Sequence, residues 1–213
     1  MTKKIILYIL LFISQVSFGQ EISTSLKNYF SIKEIKELNV ITDFFQKELC
    51  GNSKRKNFGK CVKKIIPKIE KSGGTYIAKK INFRRQKNLL KKISLSTFRK
   101  IWSGCRNWSD YEPKYEYYSL CFSGNENYIK FVRELGKTSG YLMKYAETLD
   151  VGGLGNLNFI ATNILEYPKS MNIENRGVQI VFAIHYLTQN DILNKGKKAF
   201  KIIERYNRKK GEK

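Results

Sequence analysis

Four cysteines constrain the fold of this chain more than any other feature, because they lie in two separated groups: Cys50 with Cys61, and Cys105 with Cys121. Three disulfide pairings are possible. Sequence order favours Cys50–Cys61 and Cys105–Cys121, with ten and fifteen residues between the partners. A loop of this size stabilises a fold by roughly 3 kcal/mol in the chain-entropy model. Structural zinc sites usually have cysteines about two to four residues apart, so the sequence predicts two disulfides and no metal site.

The N-terminal segment predicts export. A short positive stretch (1–4) precedes a nearly unbroken apolar run (5–13), and small residues follow before Gln20. This order is typical of a secretory signal peptide, here residues 1–19. The apolar run is shorter than the roughly 20 residues of a membrane span, and no second run of that length follows. We therefore expect a periplasmic or extracellular mature chain without a transmembrane segment; the alternative is an uncleaved N-terminal anchor.

The rest of the chain predicts a single compact, mainly α-helical domain over residues 20–206, with a disordered basic tail over 207–213. No linker rich in proline, serine or glycine divides it, and no repeat of about 20 to 50 residues is present. Apolar residues spaced by three and four indicate helices. The predicted helical segments are 34–49, 58–69 (short or kinked because of Pro67), 96–102, 125–135, 138–149, 157–165, 178–187 and 192–206. Residues 75–83 and 115–122 are expected to hold a short strand or hairpin.

The positive charge of the chain is concentrated in its middle. The whole sequence has 40 Lys and Arg against 18 Asp and Glu, and residues 47–100 hold eighteen of the basic residues against only Glu48 and Glu70. Such a field attracts anionic polymers, lipid headgroups and acidic proteins. Segment 79–92 is the strongest candidate for a positive patch, and its candidate binding residues are Lys79, Lys80, Arg84 and Arg85. The alternative is a lysine-rich composition without a dedicated role, since lysines outnumber arginines 31 to 9.

Aromatic residues crowd around the second cysteine pair. Seven of them lie between Ile101 and Phe122, and Trp and Tyr are common anchors of protein interfaces. We expect Trp102, Tyr118 and Phe122 to be buried beside the disulfide. The residues expected to face a partner are Trp108, Tyr111 and Tyr115. The alternative is that the loop mainly covers its own aromatic side chains.

Few residues point to catalysis. His185 is the single histidine and lies in an apolar run, which favours a hydrogen-bonded core residue. Segment 134–140 lacks the first glycine of a phosphate-binding loop, and segment 151–156 lacks the spacing of a dinucleotide-binding turn. The sequence therefore predicts no cofactor.

One enzymatic alternative needs only two carboxylates, as in cell-wall glycosidases. Glu147 and Asp150 lie three residues apart at a predicted helix end, and Glu134 and Glu166 are further candidates. Such spacing is also common among solvated surface residues.

These features favour an exported, non-catalytic binding protein, of inhibitor or immunity type, whose partner is an acidic protein or an anionic envelope polymer. Nucleic acid is not an expected physiological partner of an exported chain. The alternatives are the glycosidase and a general polyanion-binding or envelope-binding protein without a dedicated partner.

Overall fold

The computed structural model describes residues 25–51, 54–72, 74–108, 115–153 and 158–211. They form the expected mainly helical fold with an antiparallel hairpin and two disulfides. The predicted signal peptide (1–19) and Tyr111 lie outside the described residues. The elements are α1 (Ile32–Cys50), α2 (Phe58–Ser72), α3 (Gly74–Lys80), α4 (Phe83–Leu90), α5 (Leu95–Ile101), β1 (Trp102–Trp108), β2 (Glu116–Phe122), α6 (Glu126–Gly136), α7 (Gly140–Asp150), α8 (Phe159–Glu166) and α9 (Arg176–Gly211).

Helices α1 and α2 form the first disulfide-linked unit. Helix α1 begins with a capping box, in which the Ser31 side chain accepts the Glu34 N–H and the Glu34 carboxylate accepts the Ser31 N–H. It ends at Gly51, whose φ of 71° lies in the left-handed region that glycine adopts without strain. The Cys50–Cys61 disulfide, with a Cα–Cα distance of 6.0 Å, confirms the predicted pairing.

Helix α2 is longer than the sequence predicted. It continues through Pro67 to Ser72. Its apolar residues on both sides of the proline are buried, namely Val62, Ile65, Ile66 and Ile69. Packing of this stripe stabilises the helix despite the backbone hydrogen bond that proline cannot donate.

The strand expected within 75–83 is wrong. Residues Gly74–Lys80 form helix α3, with Ile77 buried in the core, and Asn82 then caps α4 by accepting the Arg85 N–H at 3.0 Å. The strand expected within 115–122 is confirmed as β2. Its partner β1 contains residues that the sequence had assigned to a helical turn and a loop.

The hairpin is joined across its two strands by the second disulfide, Cys105–Cys121, again as predicted. Trp102 is buried and donates its indole N–H to the Thr188 hydroxyl at 2.8 Å, which attaches the start of β1 to α9. Phe122 is half-buried and stacks on Tyr128 with ring centroids 5.6 Å apart. The expected burial of Trp102 is therefore confirmed, and Phe122 is buried only in part.

Helix α9 has 36 residues and unites segments that the sequence predicted as separate helices, 178–187 and 192–206. It continues to Gly211, so residues 207–211 are helical where a disordered tail was expected. Its first half is the centre of the core, because every residue of 177–191 is buried. His185 lies there, with its Nδ1 2.9 Å from the Tyr145 hydroxyl and its Nε2 2.6 Å from the Gln189 amide nitrogen. The expected core histidine is confirmed.

Buried apolar side chains from all of these helices and from the hairpin belong to one hydrophobic cluster. Among the described residues, no helix combines the length and apolar character needed to cross a membrane.

Candidate functional site: a basic groove between α1, α3 and α4

The four basic residues singled out in segment 79–92 lie on one depression of about 720 Å³. The end of α1 adds Lys47 and Glu48 to its lining. We call this depression the basic groove and define it by Lys47, Glu48, Lys79, Lys80, Arg84 and Arg85. It therefore holds five cationic side chains and one carboxylate.

A short connection between α3 and α4 brings the cations together. Helix α3 ends at Lys80 and α4 begins at Phe83. Between them, Ile81 is buried in the core and Asn82 caps α4. The pair of lysines at the end of one helix therefore lies next to the pair of arginines in the first turn of the next.

Glu48 anchors this connection to α1. Its side chain is only 7% exposed, and its carboxylate accepts the Asn82 N–H at 3.0 Å and the Arg85 guanidinium at 3.1 Å. The carboxylate thus holds the turn in place and fixes the orientation of Arg85. Glu48 is not among the binding residues predicted from the sequence. It is one of only two acidic residues in a block with eighteen cations, and this isolation was a usable signal.

The other cations of the groove are not neutralised by the residues that the structure describes. Within the described parts of the chain, Lys47, Lys79, Lys80 and Arg84 have no carboxylate within ion-pair distance. Lys80 instead lies 6.0 Å from the ring centre of Tyr76. The groove therefore has a net positive charge in the folded protein and presents free donors to solvent.

Most carboxylates elsewhere in the described structure lie within ion-pair distance of a cation, whereas many exposed lysines, such as Lys60 and Lys64 of α2, do not lie near a carboxylate. Asp43 accepts from Arg55 at 2.6 Å and from Arg176 at 2.7 Å. Glu34 accepts from Lys100 at 2.7 Å, and the Lys63 ammonium lies 3.4 Å from Glu174.

The start of α1 contains the most strongly perturbed carboxylate. Burial raises the pKa of Glu34, but hydrogen bonds from Lys100, Ser96 and the Ser31 N–H outweigh burial and lower it from 4.5 to about 2. Burial also raises the pKa of Glu37, but hydrogen bonds from Ser94 and Thr97 outweigh burial and lower this pKa below its usual value. Because these carboxylates are enclosed by donors, they stabilise the fold and are not available to a ligand.

The aromatic residues of the hairpin are separate from the basic groove. Trp108 is 63% exposed and lies 5.7 Å from the guanidinium of Arg106, which also pairs with Glu116 at 2.7 Å. Tyr115 is half-buried and stacks on Tyr117. Neither Trp108 nor Tyr115 lines the groove.

The expected burial of Tyr118 is wrong. Its side chain is 59% exposed. Tyr118 pairs with Arg106 in the hairpin register, and the side chains of this pair share the outward face with those of Trp108 and Glu116.

The carboxylates of the glycosidase alternative are dispersed. Glu134 lines a depression of about 390 Å³ and pairs with Lys137 at 2.7 Å, but neither Glu147 nor Asp150 lines that depression. Asp150 forms an ion pair with Arg133, and Glu147 is exposed. Among the described residues, no cluster of three His, Cys, Asp or Glu side chains is suited to hold a metal ion.

Comparisons with protein-family models, with curated proteins and with solved structures find no match to this chain. The chemistry of the groove is therefore the basis for a functional conclusion.

Proposed function

We propose that this protein is an exported, non-catalytic binding protein that recognises an acidic partner through the basic groove. The observation that carries the proposal is that several cations without a carboxylate partner among the described residues converge on one depression. Lys47, Lys79 and Arg84 share one depression without a carboxylate partner in the described structure. Cations held close together repel each other, and an anionic ligand removes that repulsion.

The groove combines two kinds of anion recognition. Arg84 offers a planar guanidinium that binds a carboxylate, phosphate or sulfate through two parallel hydrogen bonds. The lysines act as mobile point charges around it. Glu48 is already hydrogen-bonded to Asn82 and Arg85, so it fixes the geometry of the groove without competing for its free cations.

Export is part of the proposal and is supported by the disulfides. Cys50–Cys61 and Cys105–Cys121 are both formed, and stable disulfides are typical of oxidising compartments outside the cytosol. The first disulfide also lies at the edge of the groove, since Cys50 is followed by the lining residue Gly51.

A charge-reversal experiment tests the groove. Fluorescent poly-glutamate is titrated against the oxidised protein and against Lys79→Glu/Arg84→Glu at about 0.15 M salt, where long-range attraction is largely screened. Loss of two charge-assisted hydrogen bonds is expected to weaken binding by about a hundredfold.

The matched control is Lys60→Glu/Lys64→Glu, which changes the net charge equally on the exposed face of α2. The control variant should retain most of the affinity. Equal weakening of both variants contradicts the proposal and identifies the protein as a general polyanion binder.

A further inference from the structure

A second depression, of about 640 Å³, adjoins the basic groove and shares Lys47, Glu48 and Arg85 with it. Its walls are α1 on one side and α4 on the other. Val40 and Phe44 line it from α1, and Leu89 lines it from α4. We call this depression the apolar extension and define it by Val40, Phe44 and Leu89.

The apolar extension contains apolar surface that the core leaves partly exposed, although Leu89 is buried in the core and Phe44 packs against it. The apolar residues Leu38, Ile41, Phe45 and Leu49 of α1 are buried. Val40 is 51% exposed and Phe44 is half-buried. Val40, Phe44 and Lys47 follow each other at steps of four and three, so they share one face of α1. That face changes from apolar to cationic toward the basic groove.

The charged side chains of the apolar extension that lack an ion-pair partner among the described residues are lysines. Asp43 lines it, but Arg55 and Arg176 already bind its carboxylate. Lys47 and Lys92 lie on its rim, without a carboxylate in ion-pair distance among the residues that the structure describes. An occupant must therefore combine negative charge with an apolar group.

We propose that the occupant of the joined depressions is an acidic segment of a partner protein that carries a large apolar side chain. Its carboxylates bind the cations of the basic groove, and its apolar side chain packs against Val40 and Phe44. This proposal rests on the proposed function and narrows it to a protein partner. A polysaccharide or a phosphate-bearing polymer offers the charges but leaves the apolar extension in water.

The two depressions contribute differently to affinity. Charge pairs at an open groove weaken with salt, whereas burial of an apolar side chain does not depend on screening. One buried apolar side chain strengthens binding by about tenfold. A protein ligand should therefore keep part of its affinity at a salt concentration that releases a purely anionic polymer.

The test uses two synthetic peptides, an aspartate-rich segment followed by two leucines and the same segment followed by two serines. Their binding is measured by fluorescence anisotropy at about 0.15 M salt. The wild-type protein should bind the leucine peptide about tenfold more tightly than the serine peptide. Val40→Ser should remove this preference and leave poly-glutamate binding unchanged.

Val151→Ser is the matched control, since Val151 is 84% exposed at the end of α7 and does not line either depression. It should retain the preference for leucine. Equal affinity of the wild-type protein for both peptides, or no measurable binding of either, overturns the protein-segment proposal. If Lys79→Glu/Arg84→Glu still weakens poly-glutamate binding more than the α2 control variant does, the proposed function stands and the groove recognises its partner by charge alone.

If Lys79→Glu/Arg84→Glu binds poly-glutamate no worse than the α2 control variant, the proposed function itself fails. The two failures are therefore distinguishable, because one is measured with the peptide pair and the other with the polymer.

Discussion

At the N-terminal end of α1, Glu34 and Glu37 are enclosed by hydrogen-bond donors, whereas at its C-terminal end Lys47 shares a groove with Lys79 and Arg84 without a carboxylate partner among the described residues. Both ends belong to the same helix and both carry charges in contact with α3, α4 or α5. Hydrogen bonds within the fold satisfy the charges of the first end, whereas the cations of the second end are exposed to solvent in the described structure.

This difference separates a structural role from a binding role. A charge that is buried and fully hydrogen-bonded stabilises the folded state, and removing one partner is costly. A group of exposed like charges has the opposite effect, because mutual repulsion lowers stability slightly until an anion binds. Strong charge alone does not indicate a binding site, since Lys60 and Lys64 of α2 also lack a carboxylate partner among the described residues. The basic groove differs because its cations converge on one depression.

The largest change in stability is expected for a substitution at the N-terminal end of α1. Glu34→Ala should lower the free energy of unfolding by about 4 kcal/mol, because it leaves Lys100 without its carboxylate and removes half of the capping box. Lys47→Ala should change stability by less than about 0.5 kcal/mol. Urea unfolding of both variants measures the contrast. Similar losses for the two variants would mean that the ends of α1 do not differ in role.

The first disulfide lies at the C-terminal end of α1, next to the basic groove. Cys50→Ser/Cys61→Ser should lower the free energy of unfolding by about 3 kcal/mol, the chain-entropy value for a loop of this length. Because Gly51 lines the groove next to Cys50, the variant should also bind poly-glutamate less tightly. The same double substitution at Cys105 and Cys121 is the control, and it should reduce stability without weakening binding.

Acid should reduce the stabilising contribution of Glu34 at the N-terminal end of α1. The pKa of Glu34 is lowered from 4.5 to about 2 in the folded protein, so its ionised form stabilises the fold above pH 4.5. That contribution is lost as the pH falls from 4.5 through about 2, and below this pH the carboxyl group is protonated in both the folded and the unfolded states. The stability difference between wild type and Glu34→Gln should therefore shrink over this window. A difference that is constant with pH would contradict the assignment.

Local patterns were sufficient for much of the fold and for four of the six residues that define the groove. The apolar stripe of segment 34–49 predicts α1 to within two residues, since a helix of this length repeats the pattern several times. Lys79, Lys80, Arg84 and Arg85 are close in sequence, so their joint location follows from a short turn.

Contacts between distant residues could not be predicted in this way. Glu48 reaches Asn82 and Arg85 across 34 and 37 residues, and no periodicity indicates such a contact. The exposure of Tyr118 depends on the alternation of β2, which was predicted only as a possible strand without a register. Val40 was not identified either, because its exposure depends on where α4 packs against α1.

The smallest predicted effect gives the sharpest distinction between the two ends of α1. Lys79→Gln/Arg84→Gln should raise the free energy of unfolding by about 0.5 kcal/mol, because it removes repulsion among the cations of the groove while breaking no ion pair in the described structure. Lys63→Gln, which loses its contact with Glu174, should not be stabilising. The gain should disappear in high salt, where the repulsion is already screened. A loss of stability in the groove variant would mean that Lys79 and Arg84 make stabilising contacts within the fold, which contradicts this prediction. A gain in stability together with weaker poly-glutamate binding would mean that the same two cations destabilise the free protein and bind the anion.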